Sequence, residues 1–332
     1  MVHDENIFEF PIMLLPNEVI KLILKNVDWK TIYNIRLASK FFNSFVKTNL
    51  VSFPKPKMKI LNISSFYNTN DTLKIYFSFF CEDKFINLDS FSISANSNEV
   101  EDIEYYLQKM NLSDIEYAWI KTTGKTIIFD ILNRYFKSGT SVKSLYIEIN
   151  NNPVFESFSI FIQKMKYINL LYLTNLCFSN YKIPKNYTLP MIGNLCNLFI
   201  LECQCTHFVN SNMINNLFLK NDNLKEIKIY SKCNNFEIEL LKNIKNRQDL
   251  CNGQEDNHKQ YHIYLPKRSG IINNIEFEKY FPCRTYHMLD AIENFCHFGA
   301  IKHCRKCSTP KAVYFRYITP PKPIGIICEL NK

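Results

Sequence analysis

Six short segments of this chain carry one apolar signature: an aliphatic or aromatic residue, two others, a second apolar residue, one other, and a third. They are Leu88/Phe91/Ile93, Leu112/Ile115/Tyr117, Val142/Leu145/Ile147, Ile168/Leu171/Leu173, Leu195/Leu198/Ile200 and Leu224/Ile227/Ile229. Their first positions step by 24, 30, 26, 27 and 29 residues. A period of that length holds one strand and one return crossover, a unit too small to bury its own apolar side, so the units must stack. Stacking sets equivalent residues side by side at about 4.8 Å. The position between the second and third apolar residues, Ser92, Glu116, Tyr146, Tyr172, Phe199 and Lys228, then lies on the other face. Three neighbouring rings make a ladder there, expected to line a substrate groove with Glu116 and Lys228 at its two ends. A register slip of one residue would instead send these rings into the core.

Ahead of this region, Leu14 to Val46 divides into three amphipathic helical patterns. In the first, Val19, Ile20, Ile23, Leu24 and Val27 recur at three- and four-residue steps, with Lys21 and Lys25 on the other side. Pro16 suits the first turn, and Glu18 suits the positive end of the helix dipole. Asp28 is placed to cap a second helix bearing Ile32, Ile35 and Leu37. A third follows with Phe41, Phe42, Phe45 and Val46. Two prolines in Phe53-Pro54-Lys55-Pro56-Lys57 forbid helix and interrupt strand pairing, which marks a boundary. The expected division is a helical module over 8–52 and a larger domain over 58–332.

Leu15-Pro16, the acidic Glu18, the apolar pairs, Asp28, and Arg36-Leu37-Ala38-Ser39-Lys40 followed by Phe42 occur in an order that resembles the F-box. Two residues depart from that pattern, Ala38 where valine is usual and Trp29 where proline is common. The resemblance implies docking on the Skp adaptor of an SCF-type cullin-RING ubiquitin ligase. The family's adaptor-facing positions fall here on Leu15, Pro16, Ile20, Ile23, Leu24, Leu37, Ser39 and Phe42. The plain alternative is a three-helix start of an ordinary globular domain. The six later segments resemble leucine-rich repeats, which also place asparagine three residues beyond the last apolar position; Asn96 and Asn150 stand there, and Cys203 in another unit. The expected fold class is therefore α+β, an F-box module followed by an irregular leucine-rich-repeat-like α/β solenoid. A generic α/β domain is the other reading.

Composition narrows the function classes. Only 7 Gly occur in 332 residues, which argues against dinucleotide turns and phosphate-cradling loops. Gly124-Lys125-Thr126 has the end of a phosphate loop, but the glycine required five residues earlier is Trp119. No nucleophile elbow, His-Glu-x-x-His pair or recurrent carboxylate pairing occurs, so no catalysis and no cofactor are expected. No apolar run approaches the roughly 18 residues of a membrane helix, and Asp4 and Glu5 stand where an export signal carries basic residues. A cytoplasmic or nuclear location and reduced cysteines, 12 in number, are the corresponding expectations.

Near the C-terminus, Cys283, His287, Cys296, His297, His303, Cys304 and Cys307 gather metal-ligating residue types. The single Cys304-x-x-Cys307 pair has irregularly spaced companions, which reads as unligated thiols rather than a zinc site. The net charge of +9 permits a nucleic-acid partner, yet its cations are scattered among apolar residues with no stripe. Two functions follow: a substrate-recognition subunit that binds a Skp-type adaptor and a protein substrate, or a structural or nucleic-acid-associated protein with a basic C-terminal region.

Overall fold

The computed structural model describes residues 12–67, 70, 72–81, 91–96, 100–151, 155–178, 181–190, 194–233, 236–249, 260–266, 274–289 and 298–318. The fold is mixed α/β, with two separate apolar clusters.

The smaller cluster belongs to three short helices, α1 (Asn17–Lys25), α2 (Trp29–Ala38) and α3 (Lys40–Asn49). Glu18 in the first turn of α1 and Lys25 in its last match the helix dipole. The Asp28 carboxylate caps α2 by accepting from the Lys30 and Thr31 amides at 2.9 and 3.1 Å and from the Thr31 hydroxyl at 2.7 Å. Those hydrogen bonds, led by the Thr31 hydroxyl, hold its acidity below the usual carboxylate range. Ser39 caps α3 through the Phe42 amide at 3.2 Å. Ile20, Leu24, Ile32, Phe42, Phe45, Val46 and Phe53 close the core between these helices.

In the larger part, twelve strands among the described residues form one sheet. Eight run parallel and lie in chain order: β1 (Met58–Tyr67), β4 (Asp114–Thr123), β5 (Thr140–Asn150), β6 (Met165–Leu176), β7 (Asn197–Glu202), β8 (Glu226–Tyr230), β9 (Gln260–Pro266) and β12 (Pro310–Ile318). Beyond β1 lie β2 (Leu73–Cys81) and β3 (Phe91–Asn96), and beyond β12 lie β11 (Phe298–His303) and β10 (His287–Leu289), all antiparallel to their neighbours. Helices α4 (Glu101–Lys109), α5 (Ile128–Tyr135), α6 (Phe155–Gln163), α7 (Ser211–Lys220), α8 (Phe236–Asp249) and α9 (Asn274–Tyr280) fill crossovers between strands. Contacts of α4 with α5, α5 with α6, α7 with α8 and α8 with α9 put these neighbours on a common side.

Aliphatic side chains pin the register. Ala118, Leu145, Leu171, Leu198, Ile227 and Ile263 face one another strand by strand and are all buried. Buried Ile120, Ile147, Leu173, Ile200 and Ile229 form the next row. Both rows join Ile131, Phe158, Ile214 and Leu240 of the helices in one core. Full burial of one such side chain favours folding by about 1.5–3 kcal/mol. A one-residue slip on any strand would forfeit several of these together.

Two of the six expected segments are placed differently. Leu88 falls outside the described residues, and β3, which starts at Phe91, is an antiparallel edge strand; the parallel neighbour of β4 is β1. In β4 the residues opposite Val142, Leu145 and Ile147 are Ile115, Ala118 and Ile120, so the 30-residue step becomes 142 − 115 = 27. The small Ala118 hid this frame, while Tyr117, half-buried on the other face, imitated an inward apolar residue.

Candidate functional site

Helices α1 to α3 cannot enclose all their large side chains. Leu22 and Leu37 are 63% and 73% exposed, and Val19, Ile23, Tyr33 and Phe41 are exposed as well. Val19, Leu22 and Ile23 share one stripe of α1 at three- and four-residue steps, and Tyr33 and Leu37 share one of α2. Leu14, 70% exposed, precedes them. The expected adaptor-facing residues divide accordingly. Pro16, Ile23 and Leu37 are exposed, and Leu15 is half-buried against the small core. Ile20, Leu24 and Phe42 are inside that core, and Ser39 acts on its own backbone as a cap.

The second feature is the sheet face opposite the buried rows. Paired residues on neighbouring strands run Asn62, Trp119, Tyr146, Tyr172, Phe199, Lys228, Tyr264 and Arg316, each half-buried. The Tyr146 and Tyr172 rings stack with centroids 4.4 Å apart and planes 9° apart. Tyr117 lies 5.1 Å from Tyr146, and Phe199 lies 5.8 Å from Tyr172. The Lys228 ammonium sits 5.2 Å from the Phe199 centroid and 5.5 Å from that of Tyr264, close enough for cation–π attraction. In the adjoining row His262 stacks on Tyr314 at 5.0 Å. Partial burial pushes the phenols of Tyr117, Tyr172 and Tyr264 up and the His262 imidazole down.

Tyr146, Tyr172, Phe199 and Lys228 thus share the row their spacing implies. Glu116 does not. It lies three residues before Trp119 on β4, is exposed, and pairs with Lys59 at 3.0 Å, while Trp119 takes the place expected for it. Lys228 is inside the row rather than at its end, because β9 and β12 extend it. Period-two alternation of Tyr261, Ile263 and Leu265 with His262 and Tyr264 was the readable signal for β9.

Among the described residues, Cys177, Cys203 and Cys205 form a three-thiol group, and the Cys203 thiol is held down to about 5 by the hydrogen bond from Cys177. Cys283, His287, His303, Cys304 and Cys307 are not in that group, and Cys296 and His297 lie outside the described residues. Among the described residues no helix is long and apolar enough to cross a membrane. Compared with family models, curated proteins and solved structures, the chain has no match.

Proposed function

We propose that this chain is the substrate-recognition subunit of an SCF-type ubiquitin ligase. In this reading the helices over 12–52 dock on a Skp-type adaptor as an F-box does, and the parallel sheet is a leucine-rich-repeat-like solenoid whose open face captures a protein substrate. The observation that carries it is a pairing: a small module with its own core that leaves Val19, Leu22, Ile23 and Leu37 outward, joined to a sheet with a half-buried aromatic row. Apolar side chains left out by a module that already has a core are the material of an interface. Rigid half-buried rings dominate binding energies at protein interfaces because they bring large area at small entropic cost.

The chain itself supplies proximity rather than chemistry, raising the concentration of substrate beside the transferring enzyme. A cytoplasmic or nuclear location belongs to this proposal. The test is co-purification of the full chain with a recombinant Skp-type adaptor, in parallel with a Leu37→Ala, Ile23→Ala double variant. Stoichiometric capture by the wild type and loss in the folded double variant is the expected result. Failure of the wild type to bind removes the ligase reading and leaves the structural or nucleic-acid-associated alternative.

A further inference from the structure

The strand ends of β6 and β7 hold chemistry that neither binding face uses. Leu176, the last residue of β6, pairs with Glu202, the last of β7, so the chain leaves both strands side by side. The next residues are Cys177 and Cys203, and Cys205 follows two positions later. Their three sulfurs lie within 4.8 Å of one another. Cys177 and Cys205 are 3.5 Å apart and Cys203 and Cys205 2.8 Å apart, sulfur to sulfur.

Backbone hydrogen bonds independent of the sulfurs set this arrangement. The Cys177 amide donates to the Ile149 carbonyl at 2.9 Å, and the Cys203 amide to that of Leu176 at 3.1 Å. The Thr206 hydroxyl accepts from the Phe178 amide at 3.1 Å, tying the loop after β7 to the end of β6. Buried Glu202 accepts from the Phe208 and Val209 amides at 2.8 and 2.5 Å and closes the same loop from below. Burial grades outward, from Cys177 inside through half-buried Cys203 to exposed Cys205, so the group has a protein wall on one side and an opening on the other.

Three converging sulfurs are a soft ligand set. Zinc–thiolate bonds of about 2.3 Å place sulfurs roughly 3.8 Å apart around a tetrahedral ion, inside the 4.8 Å that bounds all three sulfurs here. A hard cation such as magnesium or calcium would call for oxygen ligands instead. We propose that Cys177, Cys203 and Cys205 bind one Zn²⁺ through three thiolates, with the fourth position facing solvent at the Cys205 side. Binding forms three Zn–S bonds and releases up to three protons to water, with no change of oxidation state. The site would fasten two consecutive crossovers of the sheet to each other.

The experiment uses the full chain, purified under reducing conditions and stripped with a chelator, then titrated with Zn²⁺ alone and with Co²⁺ as a coloured substitute. One equivalent of metal per chain, an intense thiolate-to-cobalt absorption and a melting temperature raised by Zn²⁺ are expected. Cys205→Ser, at an exposed position, keeps the fold by circular dichroism. It should weaken Zn²⁺ binding by at least the roughly 10- to 100-fold that loss of an outer-shell partner costs. Cys196→Ser, outside the group, should bind as the wild type does. Absence of stoichiometric zinc and of the cobalt band, or undiminished affinity in Cys205→Ser, overturns the proposal. So does a Cys203–Cys205 disulfide in the isolated protein whose reduced form takes up no metal.

Discussion

Replacing Leu37 by Ala separates an interface from a core within one small module. Leu37 projects from the last turn of α2 and is 73% exposed, so its truncation removes almost no internal packing. Surface changes of this kind alter stability by no more than about 0.5 kcal/mol. If the outer stripes dock on an adaptor, that same area is buried in the complex. Full burial of a leucine is worth about 1.5–3 kcal/mol, and the exposed share brings this to about 1–2 kcal/mol, or about five- to thirty-fold in Kd. Leu24→Ala is the contrast, because Leu24 is wholly inside, and a cavity there costs about 2–5 kcal/mol of stability. Titration calorimetry against the adaptor, with thermal melts of each variant, reads both quantities. A folded Leu37→Ala protein that binds with wild-type affinity would refute the assignment of this stripe to the adaptor.

Three further outcomes are expected. Tyr146→Ser with Tyr172→Ser should remove the stacked pair at a cost of about 1 kcal/mol, a fall in Tm of about 2–4 °C, while abolishing substrate capture scored by quantitative mass spectrometry; a loss above about 4 kcal/mol would make these rings core. Burial pushes the Glu202 carboxyl up to about 7, above the roughly 4.3 of an unfolded chain, so its contribution is present at low pH and fades as pH rises through 7. Denaturant unfolding of the metal-free chain at pH 5 and pH 7.5 should show wild type losing about 2–3 kcal/mol relative to Glu202→Gln, and parallel profiles would contradict it. Ser39→Ala should cost about 1 kcal/mol of stability through the lost cap and leave the adaptor affinity of folded protein unchanged, by the same calorimetry.

Helices α1 to α3 were legible because their capping residues and apolar spacing act within a few residues of chain. Which apolar residues face inward was less so. Ile20 and Ile23 are equally hydrophobic, and only the docking of the helices decides that one is buried and the other exposed. In the sheet, the rows through Leu145, Leu171, Leu198 and Ile227 followed from spacing alone. β4 did not, because Ala118 and Tyr117 each resemble the other's role when judged by hydrophobicity, and neighbouring strands settle the frame. The antiparallel pairing of β2 with β3 depends on contacts that no local period encodes. Cys203 stood out as a substitute for asparagine, yet its companions Cys177 and Cys205 come together only through pairing of β6 with β7.

Antiparallel strands bound the parallel array on both sides among the described residues. At one end, among the described residues, β10 spans 3 residues, and at the other the run turns back through β2 and β3. Eight parallel strands at about 4.8 Å span about 34 Å, and an extended peptide covers that in about ten residues. In the proposed reading the parallel strands would act as a ruler, with a partner peptide lying across them in contact over about ten residues.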